Sequence, residues 1–389
     1  MFSLTETIRE ALENNNFACG IFIDLQKAFD TVDHEILLKK LEHYGIRGLA
    51  NNWFKSYLTN RQQFVSINGF NSKKQIMKFG VPQGSVLGPL LFLIYINDLH
   101  KAIKFSTVHH FADDTNLLVT GKNLAVIQKQ VNHDLKSLCT WLRANKISLN
   151  ASKTELIIFR DPKKKLSQDL KIKINGKRLT PSKFVKYLGI YIDCHLNWKT
   201  HQTKIYLKLS RAVGMLSKVR HYVNSQTLLM IYYGIFSCHL IYGSQIWGQH
   251  NSVTSKLQIL QNKALRFMNF KPRGTSATPL FKSSGILKLT DHINLQNFLF
   301  AHDSLNNNLP SSLMGKLSFV DTVHNTRNET YIQLNRPRSR TILYGSKSIK
   351  SKSVDIWNFI NKLAYHEKLH EKSRSICKKI VTKFLIGRY

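Results

Sequence analysis

Acid is scarce in this chain beside base: 23 Asp and Glu stand against 57 Lys and Arg in 389 residues, a formal charge of +34. Solubility needs far less charge than that. The imbalance points to a polyanionic partner, nucleic acid first and an anionic membrane surface second. Cysteine is scarce and scattered. Cys19, Cys139, Cys194, Cys238 and Cys377 show no paired spacing, which excludes a disulfide framework and the usual zinc patterns and suits a reducing compartment. Secretion is not expected either, because Glu6, Arg9, Glu10 and Glu13 stand where a signal peptide needs a continuous apolar core. The acceptor-like triplet Asn328-Glu329-Thr330 therefore has no meaning as a glycosylation site. Long hydrophobic runs are nearly absent. Thr227 to Trp247 has no Asp, Glu, Lys or Arg and is long enough to cross a bilayer. Ser237, Cys238, His239, Ser244, Gln245 and two glycines dilute it, so a buried helix ending in a turn is expected rather than a membrane span.

What is present, 43% hydrophobic residues over a length suited to two or three domains, can bury substantial cores. The first 120 or so residues alternate strand-like and helical pieces, which predicts an α/β or α+β core. Ala18 to Leu25 is a short apolar run ending in an acid, read as a buried strand. Asp33 to Tyr44 has apolar residues at helical spacing, with Asp33 as N-cap and Gly45 just past the end. Asn68-Gly69, between Arg61–Ile67 and Lys74–Phe79, is a strong hairpin signal. Gly88 and Pro89 open an apolar, mostly buried helix through Ile96. Thr107–Phe111 and Thr115–Val119 read as strands whose connection carries Asp113 and Asp114, and Leu124–Arg143 as an amphipathic helix. Glu155–Phe159, Lys171–Ile174 and Phe184–Ile192 read as further strands, interrupted by a basic loop at Lys163, Lys164 and Lys165. From Lys199 the pattern turns to long helices, and no internal repeat or long linker follows.

Among so few acids, Asp24 at one strand end and Asp113 with Asp114 at a hairpin tip would converge if those strands are neighbours in one sheet. Nucleotidyl transfer asks for that arrangement, because metal ions activate the attacking oxygen and neutralise the leaving group. Magnesium, a hard ion content with few protein oxygens, suits so sparse a set. An adjacent Asp pair alone is weak, since Asp is common in turns.

Order raises the specificity. Along the chain come FIDLQKAFD, VPQGSVLGPLLF, HHFADDTNLL, LRANKISLNASKTE and FVKYLGIYID. These segments resemble, in sequence, palm motifs A to E of the reverse transcriptases of non-LTR (LINE-like) retrotransposons, the jockey-like branch in particular, over roughly Phe17 to Asp193. The resemblance implies an α+β polymerase palm, an antiparallel sheet with packed helices, at residues 1–195. It implies a helical thumb at 196–268, and leaves 269–389 as a basic C-terminal region without an assigned role. It implies that Asp24, Asp113 and Asp114 hold two Mg2+ ions, with Mn2+ able to substitute and no other small-molecule cofactor. Phe29 matches the steric gate against a ribose 2'-hydroxyl, with a core aromatic as the bland alternative. Gln83 and Gly84 match the motif that lies against the incoming nucleotide and the template backbone, and Lys153 matches a general acid for pyrophosphate, or is simply a solvated charge. Tyr187, Leu188 and Gly189 match the turn that supports the primer end. Asp30 is expected to be a structural hydrogen-bonder and Asp33 a helix cap. Template RNA, primer DNA and dNTPs are the implied partners, with no membrane. An intracellular ribonucleoprotein of nucleus and cytoplasm is the implied location.

Downstream, Lys199, Lys204, Lys208, Arg211, Lys218 and Arg220, with Tyr206 interleaved, form a candidate phosphate-tracking face. Arg336, Arg338, Arg340, Lys347, Lys350 and Lys352 form a second basic cluster for RNA. Relatives also carry an upstream endonuclease and a fingers subdomain. A start some twenty residues before Asp24 therefore reads as a truncated element copy, with a catalytically inactive, nucleic-acid-binding remnant as the alternative function. No Cys/His knuckle or RNase H-like acidic set is apparent downstream. A host maturase or RNA-dependent RNA polymerase would share the palm, but the motif wording and Phe29 point away from both.

Overall fold

A computed structural model describes residues 1–166, 170–315, 317–320 and 333–389; the triplet 328–330 lies outside them. The chain divides into two compact units, residues 15–188 and residues 1–14 with 189–389. The mixed α+β class expected from the sequence is the class observed.

In the first unit a four-stranded antiparallel sheet runs in the order Thr107–Phe111, Asp114–Gly121, Phe17–Ile23, Glu155–Phe159. The inner strand FACGIFI is buried on both faces: Cys19, Ile21 and Ile23 enter the core shared with the helices, and on the other face the Phe22 ring meets Tyr187. Helical spacing brings one stripe of each covering helix to the core. Ile127, Val131, Leu135, Leu138 and Leu142 do so from Leu124–Ala144, and Leu37 and Leu41 from His34–His43. Burying each such side chain is worth roughly 1.5–3 kcal/mol. The shorter helix begins where Asp33 accepts a hydrogen bond from the Ile36 N–H at 3.0 Å, the expected cap. Asn68 (φ 49°) and Gly69 (φ 85°) turn the hairpin between Ser66–Ile67 and Phe70–Asn71, a left-handed pair suited to the twist of its strands. The helix Leu87–Ile96 is mostly buried, as expected: Leu91, Phe92, Tyr95 and Ile96 lie in the core and Leu87 and Ile94 pack against it, while Leu90 and Leu93 stay 53% and 46% exposed. A helix that finds partners on part of its circumference leaves the rest to solvent, whatever its composition.

The second unit is helical. Lys199–Val219 lies against Asn251–Met268, and Leu289–Leu305 against Ile349–Leu363, where Phe298 stacks on the fully buried Trp357 at 4.9 Å. The N-terminal helix Phe2–Glu13 belongs here. Its buried Arg9 pairs with Glu6 at 3.2 Å and donates to the Lys347 carbonyl at 3.1 Å, while Glu13 accepts from Arg340 and Thr341. The Thr227–Trp247 stretch breaks into Ser225–Ile231, a π-helical Tyr232–Ser237, Cys238–Ile241 and Ser244–Trp247, with Gly243 left-handed between the last two. Among the described residues no helix is long and apolar enough to cross a membrane. All five cysteines are free thiols.

Candidate active site

The position of the acids follows from strand register. Ile23 pairs with Thr115 across two antiparallel strands, so the next positions, Asp24 and Asp114, stand opposite one another where the sheet ends. Directly opposed residues of such a pair have Cβ atoms roughly 4.5–5.5 Å apart, with side chains on the same face. Asp113 precedes them in the hairpin connection. Phe111 pairs with Asp114, which leaves Ala112 and Asp113 as a two-residue turn with Ala112 left-handed at φ 53°. Sheet topology thus brings together carboxylates ninety residues apart in sequence.

Their proximity has an electrostatic signature. The carboxyl of Asp114 is held above the ordinary carboxylate range, first by desolvation and then by the negative charges of Asp113 and Asp24. A divalent cation would relieve that repulsion, and all-oxygen donors suit a hard ion, so the residues fit the magnesium that the motifs imply. Among the described residues no group of three or more Asp, Glu, His or Cys side chains is spaced to hold a metal ion. Both Asp113 and Asp114 are exposed and Asp24 is half-buried, which leaves them room to move.

Of the other expected residues, the turn that carries Lys153 and the ring of Tyr187 are tied to this point. Lys153 lies exposed in the turn Asn150–Thr154, and that turn is fastened to the acidic strand end: the Asn150 N–H donates to the Asp24 carbonyl at 2.9 Å, and Leu149 bridges Leu25. Tyr187 is buried, its ring 5.1 Å from Phe22, and burial followed by the charge of Asp114 pushes its phenol up to about 12. The next residues, Leu188 (φ 46°) and Gly189 (φ 79°), are both left-handed, and the boundary between the two units falls between them. Phe29 is half-buried with its ring 4.6 Å from Phe92, so it is anchored on the core. Gln83 is exposed, and its Nε2 donates to Asp30 Oδ1 at 2.8 Å. Gly84 adopts φ +80° with nothing within 4 Å of where a Cβ would stand, an open surface that a bound strand could approach. Asp33 caps its helix and pairs with Lys146 at 2.6 Å, and Asp30 is a hydrogen-bonder.

The basic face on Lys199–Val219 is exposed at Lys204, Lys208, Arg211 and Lys218, four residues on one side of the helix. In the second cluster Arg336 and Lys352 share Asp355 at 3.0 and 3.7 Å, which lowers their availability. The sequence held a signal that counting lysines overlooks. No Asp or Glu occurs between Asp193 and Asp291, where thirteen Lys and Arg stand, and none between Glu42 and Asp98, where six stand. The second gap holds exposed Trp53 stacked on Tyr57, with Arg61 over Tyr57 at 5.3 Å and Phe70 81% exposed, an aromatic and cationic surface suited to unpaired bases.

Comparison with known proteins bears on the family of this chain. The family model described as reverse transcriptase (RNA-dependent DNA polymerase) matches residues 2–192. The chain is 29% identical over 326 residues to the RNA-directed DNA polymerase from mobile element jockey of Drosophila melanogaster, covering 81% of this chain and 35% of that protein. It is 28% identical over 311 residues to the probable RNA-directed DNA polymerase from transposon BS of the same fly, covering 75% and 33%. It therefore spans about a third of the length of the curated relatives it matches. Among solved structures, telomerase from Candida albicans in complex with a telomeric RNA fragment aligns over 76% of this chain and 50% of its own, at 12% identity and a TM-score of 0.36.

Proposed function

Residues 2–192 of this chain are a reverse transcriptase domain related to those of the jockey and BS elements, and on that premise we propose that the chain extends a primer on an RNA template by two-metal nucleotidyl transfer from dNTPs. The observation that carries this reading is the opposition of Asp24 and Asp114 at one sheet end with Asp113 beside them. These three residues would hold two Mg2+ ions, which when bound activate the primer 3'-hydroxyl and neutralise the departing pyrophosphate.

The protein's own part is positioning, which supplies much of the barrier reduction in phosphoryl transfer. Phe29, anchored on Phe92, places a ring where a 2'-hydroxyl would collide and so favours deoxynucleotides. Gln83 and Gly84 face the nucleotide and the template strand. Lys153, exposed on a turn tied to Asp24, protonates the leaving pyrophosphate. Tyr187, Leu188 and Gly189 support the primer end. The acid-free stretches, and Lys204, Lys208, Arg211 and Lys218 within one of them, track phosphates without charge repulsion. Work in an intracellular ribonucleoprotein follows from these partners.

Primer extension on an RNA template tests the reading. Asp113→Ala should cut incorporation by at least roughly a thousandfold, the scale of removing a group that stabilises transition-state charge, and leave RNA affinity unchanged. RNA binding by both proteins with incorporation by neither supports the alternative, a nucleic-acid-binding remnant.

A further inference from the structure

Between the strand end that carries Asp24 and the turn that carries Gln83, two segments about fifty residues apart are laced together. The Gly80 N–H donates to the Val32 carbonyl at 2.8 Å, and the Val81 N–H to the Phe29 carbonyl at 2.9 Å. His34 Nε2 bonds the Gly80 carbonyl at 2.7 Å. The approach is so close that a Cβ on Gly80 would stand 2.9 Å from Asp30 Cα and carbonyl oxygen, and Gly80 has φ +89°, so glycine is required on both counts. At the end of this lacing Gln83 Nε2 donates to Asp30 Oδ1 at 2.8 Å, at the border of a cleft of about 380 Å3 that is also lined by His34, Arg61 and Met77.

The geometry points to Asp30 as a positioning residue for nucleotide selection, acting through Gln83; this rests on the polymerase reading above. A glutamine amide has two faces, a donor and an acceptor, and on an exposed side chain either could be turned to a ligand. A carboxylate only accepts. By taking the Nε2 hydrogen, Asp30 fixes which way the amide lies and turns Oε1 away from itself as an acceptor for a donor group of the incoming nucleotide. It also removes rotamer freedom that an unrestrained glutamine would lose on binding. The same segment carries Phe29, whose carbonyl holds Val81, so one lacing sets the spacing between the residue that meets the sugar and the amide that meets the nucleotide.

The test uses the full chain with an RNA template, a 3'-dideoxy-terminated DNA primer and Mg2+, and measures the dissociation constant of the next complementary dNTP without turnover. Asp30→Ala should weaken dNTP binding roughly tenfold, the scale of a hydrogen bond to a charged group. Asp30→Asn, which keeps an acceptor oxygen, should stay within about twofold of the parent. Gln83→Ala should lose as much as Asp30→Ala, and the double variant no more than either, because the two act as one unit. In single-nucleotide incorporation with an extendable primer, Asp30→Ala should raise KM and leave kcat unchanged, with template affinity unaltered as a check on folding. Full dNTP affinity in Asp30→Ala, additive losses in the double variant, or failure of Asp30→Asn to restore binding would each overturn the assignment while leaving the polymerase reading intact. A parent complex that takes up no dNTP would instead sink the polymerase reading and the assignment with it.

Discussion

Residues 15–188 hold three carboxylates at one sheet end although they repel one another, whereas residues 194–290 contain no carboxylate and expose a row of cations on one helix. The contrast is between charge collected at a point and charge excluded from a surface. The first arrangement costs stability, which the proposed reaction centre would require. The second suits the proposed polyanionic partner, which needs many weak attractions and is hindered by any stray acid. Even the helical unit's Glu6 and Glu13 are spent internally, on Arg9 and on the 340–341 backbone.

Three variants press on that contrast. The largest effect is expected in the helical core, where Trp357→Ala removes a fully buried ring stacked on Phe298 and should cost about 3–5 kcal/mol in a denaturant titration. If the unit stands on packing rather than on its charges, removing surface cations should cost far less. Accordingly, the triple variant Lys204→Ala, Lys208→Ala and Arg211→Ala should leave stability within about 0.5 kcal/mol per site. It should flatten the dependence of log affinity for single-stranded RNA on log salt by about 0.7 for each phosphate no longer neutralised. An unchanged slope would remove this helix from the nucleic-acid surface. The smallest effect belongs to the acidic cluster. Because the carboxyl of Asp114 is raised above its ordinary value, folding favours its protonated form, and the resulting penalty is present at neutral pH and absent in acid. Asp114→Asn should therefore stabilise the metal-free protein at pH 7 by less than about 1 kcal/mol, since the side chain is exposed and screened. The gain should vanish as the pH falls below 3.8, the group's ordinary value. A gain that persists in acid would mean that the substitution acts through packing instead.

Much of the site was legible because its chemistry lies on local signals. Alternation and apolar runs located the strands, Asn68-Gly69 the hairpin, and Asp33 the helix start, each a matter of a few neighbouring residues. That Asp24 and Asp114 face one another needed only the assumption that their strands are adjacent, and the register Ile23 to Thr115 supplies the rest. Bonds between distant segments were not legible. The bond from Gln83 to Asp30 spans 53 residues, and those from Arg9 and Glu13 to the 340–347 segment span more than 320, with no periodicity to announce them. Nor was the exposure of Leu90 and Leu93 legible in the Leu87–Ile96 helix, because composition reports how apolar a helix is, not which of its sides find a partner.

Counting bound Mn2+ by electron paramagnetic resonance, in the chain complexed with RNA template, dideoxy-terminated DNA primer and dNTP, tests the central claim most directly. Two tightly held ions per chain in the parent, and their loss in Asp24→Asn at unchanged RNA affinity, are the result expected of carboxylates that close on metal. Equal Mn2+ uptake by parent and variant, or none by either, would contradict it.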